Sequence, residues 1–178
     1  MAEPVAYFIT FTCYGHWLHG DERGSADDEH NLPGAPYLAA DAQQKAHSQE
    51  RMSQPSYEMD AVRRQTVLAA LREVCAYRRW RLWAAHVRAR HVHIVVTADA
   101  APEKVMNDFK TYASRALNRA GLDEPTRKRW TRHGSTRYIN DEGHLAAAIN
   151  YVINRQGEKM ETYEAPDAPR ALDAPPTD

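Results

Sequence analysis

Apolar and polar positions alternate from Tyr7 to Tyr14 (YFITFTCY), the period of a strand with one buried face, and Thr10 and Thr12 fall on its polar side. From Ala61 to Trp80 the period changes. Val62, Val67, Leu68, Leu71, Val74 and Cys75 recur at helical spacing and make one amphipathic face. Two short runs follow, Arg81–Arg88 and Arg90–Ala98, close enough in sequence for a hairpin that turns near Ala89. Pro102 suits a first helical turn and opens a second helix with a stripe of Val105, Phe109, Tyr112, Ala113, Ala116 and Leu117, which Gly121 closes. Beyond a basic connector (TRKRWTRHGST), Arg137–Asn140 predicts a short strand and Asp141–Gln156 a third helix, ended by Gly157.

The order β-α-β-β-α-β, then a helix, predicts an α+β fold. It is that of a ferredoxin-like antiparallel sheet with helices on one face, here followed by a C-terminal helix that carries Tyr151. A chain of 178 residues, 43% of them hydrophobic, can bury one core, so residues 1–160 are expected to form a single domain. Gly15 to Tyr57 is rich in Gly, Pro, Asp and His and lacks sustained periodicity, which predicts a mobile insertion, with helix-compatible composition from Ala39 to Met52. His16, His19 and His30 lie in it at irregular spacing and read as ordinary solvated loop residues. Residues 161–178 are Pro- and Asp-rich and predict a disordered acidic tail.

Charge changes the picture more than composition does. The net charge is −1, yet residues 62–137 hold 17 Lys/Arg against 6 Asp/Glu, while the stretches on either side are acidic. A basic centre predicts a polyanionic partner, nucleic acid first, unless the arginines of the 61–80 helix only solvate its outer face. The candidates for a DNA backbone are Lys104, Lys110, Arg127, Lys128, Arg129, Arg132 and Arg137. Trp130 and His133 could stack on unpaired bases, although Trp130 also fits a core position. Two cysteines, Cys13 and Cys75, fit reduced thiols better than a disulfide framework, and no apolar run approaches membrane-spanning length. A cytoplasmic protein without membrane contact is the expectation.

The chemistry concentrates in His91-Val92-His93. Side chains two apart on a strand share a face, so both imidazoles can reach one divalent metal and leave coordination positions open for a phosphate oxygen. The same pair also fits a polar stripe on a solvated face. Position 95 is Val95, which excludes a histidine-triad hydrolase, and no second His-x-Ser/Thr element is present for a two-motif phosphoesterase. Tyr151, within His144–Gln156 (HLAAAINYVINRQ), adds a phenol able to attack phosphorus. Tyr112 is the second choice of nucleophile, because Lys110, Arg115 and Arg119 share its helix, although it falls on the apolar stripe.

With His91-Val92-His93 on a central strand, Tyr151 on a later helix and this element order, the chain resembles the HUH single-strand endonuclease superfamily. Within that superfamily it is similar to the small single-tyrosine transposases of insertion sequences and their REP-associated relatives. The resemblance spans roughly residues 5 to 160, and the runs MNDFKTYASRALN and WTRHGSTRYIN share it. It implies that His91, His93 and one side chain of the tyrosine helix hold Mg²⁺ or Mn²⁺ against a scissile phosphate. Tyr151 would then form a 5′-phosphotyrosyl link and release a 3′-OH, which can reverse the step and rejoin strands of single-stranded or hairpin DNA. A homodimer is compatible with it.

The family often has Gln four residues after the tyrosine, where this chain has Arg155, a cation that cannot ligate a metal and suits a phosphate instead. The third ligand is then Asn154, which a continuous helix places nearer Tyr151, or Gln156, which is of the family's residue type but lies about 140° away on such a helix. Two rival functions remain at this point: a domesticated module that binds hairpin DNA without cleaving it, and a metal phosphoesterase that uses water as nucleophile.

Overall fold

The computed structural model describes residues 4–16 and 42–171. Strand β1 (Ala6–Cys13) is followed by helices α1 (Ala42–Glu50) and α2 (Ala61–Arg78), the hairpin β2 (Arg81–Val87) and β3 (His91–Thr97), helix α3 (Pro102–Arg119), strand β4 (Trp130–Ile139), helix α4 (Glu142–Asn154) and strand β5 (Glu161–Glu164). The strands form one antiparallel sheet in the order β4-β1-β3-β2-β5. The predicted α+β class and the β-α-β-β-α-β run are present. Among the described residues no helix is long and apolar enough to cross a membrane.

Local chemistry sets the helix ends. The Asp60 side chain accepts the Arg63 N–H at the start of α2, and Asp141 accepts the His144 N–H at the start of α4. Pro102 sits in the first turn of α3, where its missing N–H costs nothing. At the other end of α2, Arg79 takes the left-handed conformation (φ 60°) that closes many helices, although glycine is the usual occupant.

Period-two alternation splits the core. Tyr7, Ile9 and Phe11 of β1 and Val92, Ile94 and Val96 of β3 face α2 and α3, packing with Val67, Leu71, Val74, Phe109 and Leu117. Ala6, Ala84, Val95 and Ile139 face the other way, against Leu145, Ile149, Val152 and Ile153 of α4. The tyrosine helix therefore lies on the face opposite α2 and α3.

Four expectations need correction. The fourth strand runs for ten residues rather than from Arg137, because the basic connector itself alternates and Gly134 lets it approach β1 closely: a Cβ there would stand 2.5 Å from both the Thr10 carbonyl oxygen and the Met106 sulfur. Helix α4 stops at Asn154, two residues early. Residues 161–171 are not a disordered tail. Glu161–Glu164 pair with Val87–Ala84 on the free edge of β2, Ala165 is buried, and Asp167 pairs with Arg81. Finally, the end of the predicted mobile insertion is anchored, with Tyr57 and Met59 buried and the Tyr57 N–H donated to the Tyr14 carbonyl (2.8 Å). Helix α1 lies inside the helix-compatible stretch, whereas residues 17–41, with His19 and His30, and the stretch 172–178 lie outside the described residues.

Candidate active site

The face of the sheet under α4 carries the polar chemistry. Antiparallel pairing sets His93 opposite Thr10 of β1 and His86 of β2, and His91 opposite Thr12. The two rings of the His-x-His pair stand 4.7 Å apart, centre to centre, at 76°. Phe8 stacks on His93 at 6.0 Å and 20°, which together with the sheet removes that imidazole from water.

His93 is 8% exposed, and its two nitrogens differ. Nδ1 is joined to Thr10 Oγ1 at 2.9 Å, whereas the buried Nε2 has no hydrogen-bond partner. With Nδ1–H donated to the threonine, the Nε2 lone pair is the free one, as a metal ligand requires. Burial, and then the positive potential of His91, His86 and Arg88, pushes the His93 pKa down to about 3, so the ring is neutral at ordinary pH. An unpaired polar atom in a buried position is costly, and an orphaned lone pair beside a second imidazole fits a divalent cation.

Helix α4 brings Tyr151 over this group in the same chain. Its ring stands edge-on to His93 (6.4 Å, 79°) and to Phe8 (5.9 Å, 86°) while staying 44% exposed. Of the two carboxamides considered for the metal, Asn154 donates its side-chain N–H to Asn150 Oδ1, one turn back on α4 (2.9 Å). Gln156, released from the helix, donates its carboxamide N–H to the Tyr151 carbonyl (3.4 Å) and interacts with His93, favouring its protonated form. Among the described residues no cluster of three His, Cys, Asp or Glu suits a metal. A cation here would depend on His91, His93 and a carboxamide oxygen.

The remaining predicted residues separate. Tyr112 sits on α3, across the sheet from the His pair, packed against the apolar core with its ring 6.4 Å from Tyr77; this removes it as a nucleophile for that site. Lys110 is buried and donates to the carbonyls of Thr131 (2.9 Å), Arg132 (3.4 Å) and His133 (3.1 Å), and burial lowers its pKa to about 8. Arg129, 4% exposed, holds Asp123 (3.2 Å) and Asn118 Oδ1 (2.7 Å). Trp130 packs on Phe11 at 5.1 Å and donates its indole N–H to Ser114 Oγ (2.9 Å) and the Lys110 carbonyl (3.1 Å). These three are corrected from DNA contacts to structural residues: a nearby carboxylate, bare strand carbonyls and an aromatic core claimed them first.

Arg127 donates to Gln54 Oε1 and to the carbonyls of Pro55 and Ser56, and Lys128 reaches Ser53 Oγ (2.6 Å), so both fasten residues 53–56. Lys104, Arg132, His133, Arg137 and Arg155 are exposed, Lys104 being paired with Asp108. Arg137 pairs in register with Phe8 and therefore shares the histidine face. Phe8, His86 and Arg88 are participants that the sequence reading passed over.

A family model described as "Transposase IS200 like" matches residues 52–155, more than half of the chain. Among solved structures, a REP-associated tyrosine transposase bound to a REP hairpin aligns at 12% identity over 87% of this chain and 70% of its own, with a TM-score of 0.48. A candidate transposase from Deinococcus radiodurans R1 aligns at 15% identity over 88% of this chain and 93% of its own, with a TM-score of 0.44. No curated protein sequence matches the chain.

Proposed function

Because this chain belongs to the family of IS200-like transposases, we propose that it breaks and rejoins single-stranded or hairpin DNA with Tyr151 as nucleophile and His91, His93 and Gln156 as the holders of Mg²⁺ or Mn²⁺. The observation that carries this reading is the unpartnered Nε2 of His93 next to the Tyr151 ring. When bound, the cation supplies Lewis acidity toward a phosphate oxygen. Thr10 fixes the His93 ring through Nδ1, and Phe8 excludes water from one side of it. Tyr151 gives up its phenolic proton and its oxygen bonds to phosphorus as the P–O3′ bond breaks; the leaving oxygen takes a proton to become the 3′-OH. The reverse attack of that 3′-OH on the phosphotyrosine restores the strand, with no external energy source. Tyr151 and the His pair meet within one chain.

Arg137 on the histidine face and Arg155 at the end of α4 are suited to hold DNA phosphates, with the exposed Arg132 and His133 farther along β4. The test is incubation of the protein with end-labelled hairpin and unpaired DNA in Mn²⁺, followed by denaturing electrophoresis. A covalent protein–DNA band, lost in Tyr151→Phe and with chelator, is the expected result. DNA binding without any band overturns the cleavage chemistry in favour of a binding module. Cleavage that survives Tyr151→Phe makes water the nucleophile.

A further inference from the structure

His86 is fully buried on β2, directly across the ladder from His93, and neither of its nitrogens is spare. Nδ1 lies 3.0 Å from the carbonyl of Val152, the residue after Tyr151, and Nε2 accepts the Met160 N–H at 3.0 Å. Since Nε2 must carry the lone pair for that second bond, Nδ1 is the protonated nitrogen and donates to Val152. Burial favours this neutral form. One imidazole thus grips both ends of the segment that leads from the tyrosine helix into β5.

The location of that grip matters because of where α4 ends. In a continuing helix the Val152 carbonyl would take the Gln156 N–H, and Gln156 would point about 140° away from Tyr151. Here the last turn closes with the Arg155 N–H on the Tyr151 carbonyl (3.1 Å), His86 takes the Val152 carbonyl, and Gly157 (φ 78°) reverses the chain. Gln156 then turns back toward the site, its carboxamide N–H on the Tyr151 carbonyl at 3.4 Å and its side chain interacting with His93. Arg88 supports the return through a 2.8 Å bond to the Glu158 carbonyl.

We infer that His86 is a positioning residue: its Nδ1–H bond to Val152 stops α4 at Asn154 and thereby sets Gln156 beside His93. The inference rests on the site reading above, and it assigns His86 no contact with metal or DNA.

Two variants divide the imidazole's functions. In His86→Asn the carboxamide N–H can replace the Nδ1 donor and the Met160 contact is lost, whereas in His86→Gln the carboxamide reaches the Nε2 position and the Val152 donor is lost. Both leave one backbone group unmet, so a merely structural role predicts equal effects. In Mn²⁺ titrations followed by electron paramagnetic resonance, His86→Gln should bind at least about tenfold more weakly, the usual range for a residue that orients a ligand. His86→Asn should stay within about threefold of wild type, and His86→Gln should add nothing to the loss in Gln156→Ala. Without metal, the Cα chemical shifts of Arg155 and Gln156 should move toward helical values in His86→Gln and stay unchanged in His86→Asn. Equal effects of the two variants, or unmoved shifts in folded His86→Gln, overturn the role of His86. Absence of Mn²⁺ binding in the wild type instead overturns the metal reading and leaves the shift test standing.

Discussion

The two faces of β3 show how one strand can hold a core and a reactive site. Val92, Ile94 and Val96 enter the layer beneath α2 and α3, where all three are fully buried in a cluster of apolar side chains. His91, His93 and Val95 enter the layer under α4, a single helix that buries Val95 but leaves His91 half-buried and Tyr151 exposed. Complete cover selects aliphatic side chains, since an unmet polar group there would cost more than its packing returns. Partial cover lets a polar atom stay dry, neutral and unsatisfied, the condition in which a lone pair is available to a ligand. The two tyrosines repeat the contrast: Tyr112 packs beside the sealed layer, and Tyr151 stands over the open one.

The strongest way to break this contrast is to exchange the tyrosines' roles. Tyr151→Phe should lower covalent DNA adduct formation by more than about a thousandfold, as loss of a nucleophile does, whereas Tyr112→Phe should leave it within about twofold. Quantitative denaturing gels would show it, and an equal loss in both would end the distinction between faces. Next in size is packing. Ile94→Ala should cost about 2–5 kcal/mol in urea unfolding, and His93→Ala less than about half of that, because it also removes an unpaired buried nitrogen.

The basic residues give smaller and opposite signatures. Arg129→Ala should destabilise the fold by about 2 kcal/mol through its lost bonds to Asp123 and Asn118, with little change in how DNA binding responds to salt. Arg137→Ala should leave unfolding untouched and reduce the slope of log affinity against log salt by about 1. A fluorescence-anisotropy titration at several salt concentrations separates them, and a reversed pattern would return Arg129 to the DNA surface.

Lys110 provides the most specific test, as a charge placed under the sealed side. Its pKa is about 8 in the fold against an ordinary 10.5, so between those values the unfolded chain holds more protons. Stability from this group therefore rises as pH climbs through that window. Wild type should gain stability relative to Lys110→Met from pH 8 to pH 10.5, and a difference that does not change with pH would show that the ammonium is not held in a dry site.

Elements with strong periodicity were legible in the sequence: β1, α2, the hairpin and α3 fall close to their expected places. Strand β4 was partly hidden because its alternating residues include Arg132, His133 and Arg137, a pattern that reads first as a charged loop. Strand β5 was invisible, since ETYE is too short to carry a period and pairs only because β2 has a free edge, a tertiary fact. The site divides in the same way. Face parity alone put His91 and His93 together, and a turn near Ala89 already implied that His86 lies across from His93, although the sequence reading did not draw it out. Nothing in residue order could show that one of these imidazoles is satisfied and the other is not. The arginines teach a similar lesson: a sequence counts charges, whereas Asp123 and the carbonyls of β4 decide which of them stay free for DNA.

The position of β5 has a consequence for synthesis of the chain. It closes the outer edge of the hairpin that bears the histidines, and among the described strands it leaves the ribosome last. Until residue 164 emerges, β2 presents a bare ladder to any passing chain, and His86 lacks the Met160 amide that completes its bonding. The reactive face is therefore finished only once residue 164 has been made, so a stop between the tyrosine helix and that point would release a protein with its helix formed and its seat incomplete.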